Sequence, residues 1–194
     1  MHPKALSSSI TGLSDVLSFN AERHEYTVNG ALVPSVTQIL KAEGFTHPYR
    51  NGHAAERGTW VHKATVQIDN WQDVGPHPVQ YRGYIQAYLN FIADMMPQWI
   101  ATEEQFYAEG WGFAGTRDRR TEGQVWDIKT GQPTPADGLQ LAGYSIEERD
   151  LERWNLYLHA DGTYEPVCQK DKKDYIVFSN AVYSYSWKRK RGIK

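Results

Sequence analysis

The stretch from Gly112 to Asp137 constrains the fold more than any other part of the chain. Gly112 to Arg120 and Gln124 to Lys129 read as two strands around Glu122-Gly123, and Thr134-Pro135-Ala136-Asp137 then supplies an N-cap, a first-turn proline and an acidic residue in the order a helix start requires. With Glu122-Gly123 as the turn, cross-strand partners share an index sum of 245, which sets Arg120 opposite Val125 and Asp118 directly opposite Asp127. Directly opposed side chains have Cβ atoms roughly 4.5–5.5 Å apart, where like charges are unfavourable. A sequence that keeps two carboxylates there points to a cation between them. Lys129 lies two residues beyond Asp127, on the same face of the strand.

The remaining elements follow from local signals. Phe19 to Val33 reads as a hairpin around Asn29-Gly30. Ser35 is placed to cap a helix through Ala42 that Gly44 stops, and longer helices are expected at about Ala54 to Ile68 and Val79 to Met95. Trp99 to Ala108 forms a strand, and the helix that starts at Pro135 is expected to reach Glu148. Trp154 to His159 and Thr163 to Val167 form a second hairpin around Asp161-Gly162, and a final helix spans about Lys172 to Trp187. Residues 1–15 read as a loose leader and 188–194 as a basic tail.

Composition bounds the function without choosing it. At 194 residues a single domain with a substantial core is expected, and 40% apolar with 13% aromatic residues excludes a disordered chain. No apolar run approaches the roughly 20 residues of a membrane span, no signal-peptide core is present, and the cytoplasm is the expected compartment. Cys168 is the sole cysteine, so no intrachain disulfide and no cysteine-built zinc or iron–sulfur site can form. A net charge of −2 exerts no global pull on nucleic acid, so any binding to it requires local basic patches.

Two carboxylates and a lysine on one face suit Mg²⁺, with Mn²⁺ as a substitute, because hard cations on few protein oxygens keep waters and bind phosphate. Lys129 beside such an ion can orient or help deprotonate a water, and phosphodiester hydrolysis is the natural reaction. Taken alone, an acidic pair with a following lysine is also what an ordinary solvated strand face shows.

The ordered set of motifs separates these readings. Gly115-Thr116-Arg117-Asp118, Asp127-Ile128-Lys129-Thr130-Gly131, Gln140 with Tyr144, and an acidic strand at Glu103-Glu104 resemble the RecB-like branch of the PD-(D/E)XK nucleases. Arg57-Gly58-Thr59-Trp60-Val61-His62 resembles that family's helix ending in a metal-side histidine. Pro34-Ser35-Val36-Thr37 is similar to a segment of phage-type exonucleases and of the mitochondrial genome maintenance exonuclease. The matches run from about Pro34 to Tyr144.

The resemblance implies an α/β fold, a restriction-endonuclease-like core with a small mixed central sheet flanked by helices. It implies Asp118, Asp127, Lys129, Glu103, Gln140 and Tyr144 as catalytic residues, and His62, Glu103, Asp118, Asp127 and Ile128 as metal ligands. Ser35, Thr37, Arg57, Thr116, Arg117 and Thr130 are the expected DNA contacts, although Ser35 and Thr37 equally well cap a helix. The expected activity is Mg²⁺-dependent DNA cleavage, as an exonuclease of phage-type recombination or replication acting on DNA with a free end or a single-stranded region. Phage or host recombination and replication proteins are the expected partners. A structure-specific or nicking endonuclease, or an inactive DNA-binding protein on the same fold, are the alternatives.

The sequence departs from the family pattern in three places. Arg117 is charged where the family is apolar, which suggests a less buried face or a DNA contact. Glu103 and Glu104 must point to opposite faces, and Glu103 is the expected ligand because it leaves Glu104, Phe106 and Ala108 together. The four-cysteine cluster of some related nucleases is missing. Trp60, Tyr107 and Trp111 are candidates for stacking on unpaired bases, and the run Lys188 to Arg191 either meets DNA or is merely solvated.

Overall fold

The computed structural model describes residues 16–46 and 52–193; the expected leader lies outside them. Strands β1 (Leu17–Asn20), β2 (Glu25–Val28) and β3 (Ala31–Val33) form a small antiparallel sheet. Asn29 and Gly30 both take positive φ, 51° and 80°, as the two-residue β2–β3 turn requires. The expected hairpin gains β1, which pairs Leu17 with Val28. Helix α1 (Val36–Ala42) starts in a capping box, with the Ser35 hydroxyl accepting from Gln38 N–H and the Gln38 side chain accepting from Ser35 N–H.

Helices α2 (Gly52–Asp69) and α3 (Arg82–Met95) follow, the second preceded by a 3-10 turn over Val79–Tyr81. Next come β4 (Ala101–Ala108), β5 (Phe113–Arg120), β6 (Gln124–Lys129), helix α4 (Pro135–Tyr144), β7 (Glu152–Leu158), β8 (Tyr164–Cys168) and helix α5 (Lys173–Lys190). The five strands form one sheet in chain order, antiparallel except for β6 and β7, which run parallel because α4 carries the chain back between them. Helices flank both faces. One core joins Val36, Phe113, Leu141 and Phe178 under α1, α4 and α5, and the other joins Val61, Phe91, Trp126, Ile128 and Leu156 under α2 and α3. This is the α/β class expected, with a small mixed sheet flanked by helices.

Two boundaries differ from expectation for physical reasons. Helix α4 ends at Tyr144 rather than Glu148, because Arg117 Nε donates to the Tyr144 carbonyl and the Ser145 hydroxyl to that of Leu141, at 2.8 Å each. The run Lys188 to Arg191 is not a separate tail: Lys188 to Lys190 complete the last turn of α5 and Arg191 caps it. Lys188 is anchored on Glu43 at 2.8 Å, and Arg189 donates to the Leu32 carbonyl. Among the described residues no helix is long and apolar enough to cross a membrane.

Candidate active site

The β5–β6 hairpin follows the expected register for two pairs, Arg119 with Trp126 and Arg120 with Val125, and the ladder then stops. Asp118 and Asp127 are therefore not a ladder pair, as the sequence had suggested. Asp118 Oδ2 instead accepts the Ile128 N–H at 2.6 Å, so a carboxylate takes the place of a backbone bond and the two strands splay around it. Strand β6 meanwhile pairs over its whole length with β7, which sets Asp127 beside Asn155.

Asp127 is 2% exposed and both its oxygens are engaged. Gln140 donates to Oδ1 at 3.0 Å, Asn155 to Oδ2 at 2.9 Å, and Lys129 Nζ stands 2.7 Å from Oδ2. Lys129 also donates to Gln140 Oε1 at 2.8 Å and lies 3.8 Å from Asp137. Gln140 donates to the Tyr144 hydroxyl at 2.7 Å, so α4 sets Gln140 between the lysine and that hydroxyl. Burial pushes Asp127 up to about 6, Lys129 opposing this and Asp118 adding to it. Burial disfavours the Lys129 ammonium, but Asp127 and Asp137 outweigh it and hold the lysine above its usual value, so it remains charged. Burial, then Asp127 and Asp118, raise the Tyr144 phenol well above its ordinary range.

Beside this cage His62, Glu103 and Asp118 bring one ligand atom each within 4.8 Å of one another. His62 reaches over from α2, with Nδ1 3.5 Å from Asp118 and Nε2 2.9 Å from the Ile128 carbonyl, which places that expected ligand at the same spot. Glu103 sits in mid-strand with φ of 50°, a left-handed conformation unfavourable for a residue with a side chain, and the β4–β5 ladder skips it between Thr102 and Glu104. Burial, then the Asp118 charge, push Glu103 up to about 7, with His62 and Arg119 opposing. Two carboxylates and an imidazole, with the Glu103 pKa raised by burial and by the Asp118 charge, fit a hard divalent cation.

Glu104 goes the other way, accepting from Arg120 at 2.9 and 3.0 Å and from Arg117 at 3.1 Å. Arg117 is a correction to the sequence reading. It is 6% exposed, so its face is not the less buried one suggested; it lies over the Phe106 ring and donates to Glu104, Glu148 and the Tyr144 carbonyl, bracing β5 against the end of α4. Ser35 is a second correction: at 2% exposure its hydroxyl is closed off by the cap, whereas Thr37 is exposed. Thr116 shares a 2.6 Å bond with the Tyr26 hydroxyl, and Arg57 donates to Thr130, side chain and carbonyl, near the end of β6.

Sequence reasoning missed two site neighbours. Arg119 is fully buried, held by Asp69, Thr65 and the Asp118 carbonyl, with Glu103 3.5 Å away. Asn155, also fully buried, bonds Asp127 while Gln169 fixes its amide oxygen at 2.9 Å. Strand period does not separate Arg119 from Arg117 on β5, because Arg119 finds its partners on α2 and Arg117 at the end of α4. Nothing local marks Asn155, whose place depends on the parallel register across a helical crossover.

No family model and no curated protein matches the chain. Among solved structures it is similar to an alkaline exonuclease (LHK-Exo) from Laribacter hongkongensis, at 10% identity and a TM-score of 0.49, covering 81% of this chain and 88% of that one. The same enzyme in complex with dAMP overlaps at 12% identity and a TM-score of 0.44, over 82% of this chain and 93% of that one. Both overlaps are loose.

Proposed function

We propose that the chain is a metal-dependent nuclease that hydrolyses DNA phosphodiester bonds, a RecB-like member of the PD-(D/E)XK class. The observation that carries this reading is the pairing of a two-carboxylate, one-imidazole cluster with a half-buried, charged lysine beside it. His62, Glu103, Asp118 and the Ile128 carbonyl would hold the cation, with Asp127 adjoining. A bound divalent cation would supply Lewis-acid stabilisation of the charge that develops on the scissile phosphate.

The protein's own groups do the rest. Asp127, Asp137 and Gln140 hold the Lys129 ammonium at one point, where it orients a water and offsets negative charge on the phosphate. The same cage suits the lysine to positioning and to offsetting charge. Gln140 and Asn155 fix both oxygens of Asp127, so its carboxylate cannot turn away. The resemblance to phage-type exonucleases supports Mg²⁺ as the ion and exonucleolytic action in recombination or replication, on DNA with a free end.

The test uses end-labelled linear single-stranded, linear duplex and covalently closed circular DNA, each with Mg²⁺ and with EDTA, on the parent and on Lys129→Met. Cleavage of linear DNA by the parent alone, dependent on Mg²⁺, with closed circles intact, is expected. Cutting of circles would make it an endonuclease. No Mg²⁺-dependent cleavage of any substrate would leave the DNA-binding alternative.

A further inference from the structure

Helix α5 buries Tyr175, Phe178, Ala181 and Val182 on its inner side, yet carries a second organised face outward. At 3.6 residues per turn, Lys172, Lys173, Ile176, Asn180, Tyr183, Trp187, Lys190 and Arg191 fall within an arc of about 100°, and all eight are exposed. Ile176, Tyr183 and Trp187 are 63, 65 and 53% exposed, where a solvated helix face would carry polar residues. Cations stand at both ends of the stripe, and none of its positions is acidic in a chain whose net charge is −2. The aromatic groups are partly ordered: the Arg191 guanidinium lies 4.3 Å over the Trp187 ring, and the Tyr183 ring lies 5.9 Å from Trp111.

We propose that this stripe is a second binding site for single-stranded DNA, separate from the candidate active site. Two aromatic faces flanked by four cations match a polymer whose unpaired bases stack and whose phosphates are spaced along it. Duplex DNA hides its base faces and would use only the cations. A membrane surface fits less well, because the stripe holds three apolar residues, Ile176, Tyr183 and Trp187, with Asn180 among them, rather than a continuous apolar face to sink into lipid. Helix α5, at 18 residues, spans about 27 Å, and Trp111 precedes Asp118 by seven residues of largely extended chain, about 23 Å. A strand cut at the active site can thus be held at a distance, which favours long substrates over short ones. The choice of ligand rests on the nuclease reading above.

The experiment measures binding of a fluorescein-labelled thymidine oligomer of about 16 nucleotides in EDTA, by anisotropy, for the parent, Tyr183→Ser with Trp187→Ser, and Lys190→Ser with Arg191→Ser. The aromatic pair is expected to weaken binding about fivefold or more, and the cation pair to flatten the salt slope by about 1.4. Mg²⁺-dependent cleavage of an oligomer of about four nucleotides should be unchanged in both, since neither pair touches the active site. Unchanged affinity for the long oligomer overturns the proposal. So does loss of self-association in the variants by sedimentation, or equal variant-dependent binding to phosphatidylserine vesicles without any effect on DNA. Variant-dependent binding without cleavage by any form would sink the nuclease reading and leave the stripe; cleavage with unaltered binding would do the reverse.

Discussion

At the scale of single residues, the site is decided by which way neighbouring carboxylates face. Glu103 joins His62 and Asp118, whereas Glu104 neutralises Arg117 and Arg120, so the adjacent glutamates are expected to fail differently. Glu103→Gln should abolish Mg²⁺-dependent cleavage without lowering the urea midpoint. Glu104→Gln should retain the chemistry but lose about 1–3 kcal/mol of stability, as a buried arginine loses its charged acceptor. Equal effects on both would remove Glu103 from the site. Asp118→Asn tests the same pocket by another route. The amide oxygen can still accept the Ile128 N–H, and the repulsion from Glu103 disappears. In EDTA this variant should be as stable as the parent or more stable by about 0.2–1 kcal/mol, catalytically dead, and less stabilised by millimolar Mg²⁺. A marked loss of melting temperature in EDTA, with a full metal response, would contradict the assignment of Asp118.

At the scale of elements, three pieces of backbone converge on one carboxylate: β6 presents Asp127, α4 brings Gln140 and β7 brings Asn155. Removing a group that orients a ligand typically costs 10–100-fold in activity or metal affinity. Asn155→Leu, which keeps the volume and deletes the donor, should lower kcat by about 10–100-fold with little change in KM for DNA. Gln169→Ala, which frees only the Asn155 amide oxygen, should produce a smaller fall in the same parameter. Steady-state kinetics on labelled DNA would check both, and a rise in KM alone would assign Asn155 to substrate binding. The helix caps show the converse. Ser35→Ala should cost about 1 kcal/mol by thermal unfolding and leave DNA affinity alone, because its hydroxyl is enclosed; a loss of affinity at constant stability would restore it as a phosphate contact.

At the scale of the whole molecule, the site should be legible in the pH dependence of folding. Glu103 rises from its ordinary value of 4.5 to about 7 in the folded state. The folded protein thus binds this proton more tightly than the unfolded chain does, and the associated stability is present below pH 4.5 and lost as pH rises toward 7. Asp127, raised to about 6, acts in the same direction. In EDTA the melting temperature should fall between about pH 5 and pH 7, and Mg²⁺ should restore it most at the upper end, where a cation replaces the proton. A melting temperature that is flat with pH in EDTA, or falls equally with Mg²⁺, would contradict an electrostatically strained ligand cluster.

Nearly every element was legible in the chain itself, since caps, turn dipeptides and strand period are local: Ser35 with Gln38, Asn29-Gly30 and Thr134-Pro135 act within a few residues. The short motifs likewise singled out His62, Asp118, Asp127, Lys129, Gln140 and Tyr144, which the fold brings to one place. What the tertiary structure decided was everything that needed a partner distant in sequence. Arg117 and Arg119 look alike on one strand, and only the packing of α4 and α2 shows that both are buried ion-pair centres. Asn155 reaches Asp127 only through the parallel register of β6 with β7. A parallel pairing is set by where a crossover helix lands, and that depends on the fit of whole side-chain surfaces, which no local pattern encodes.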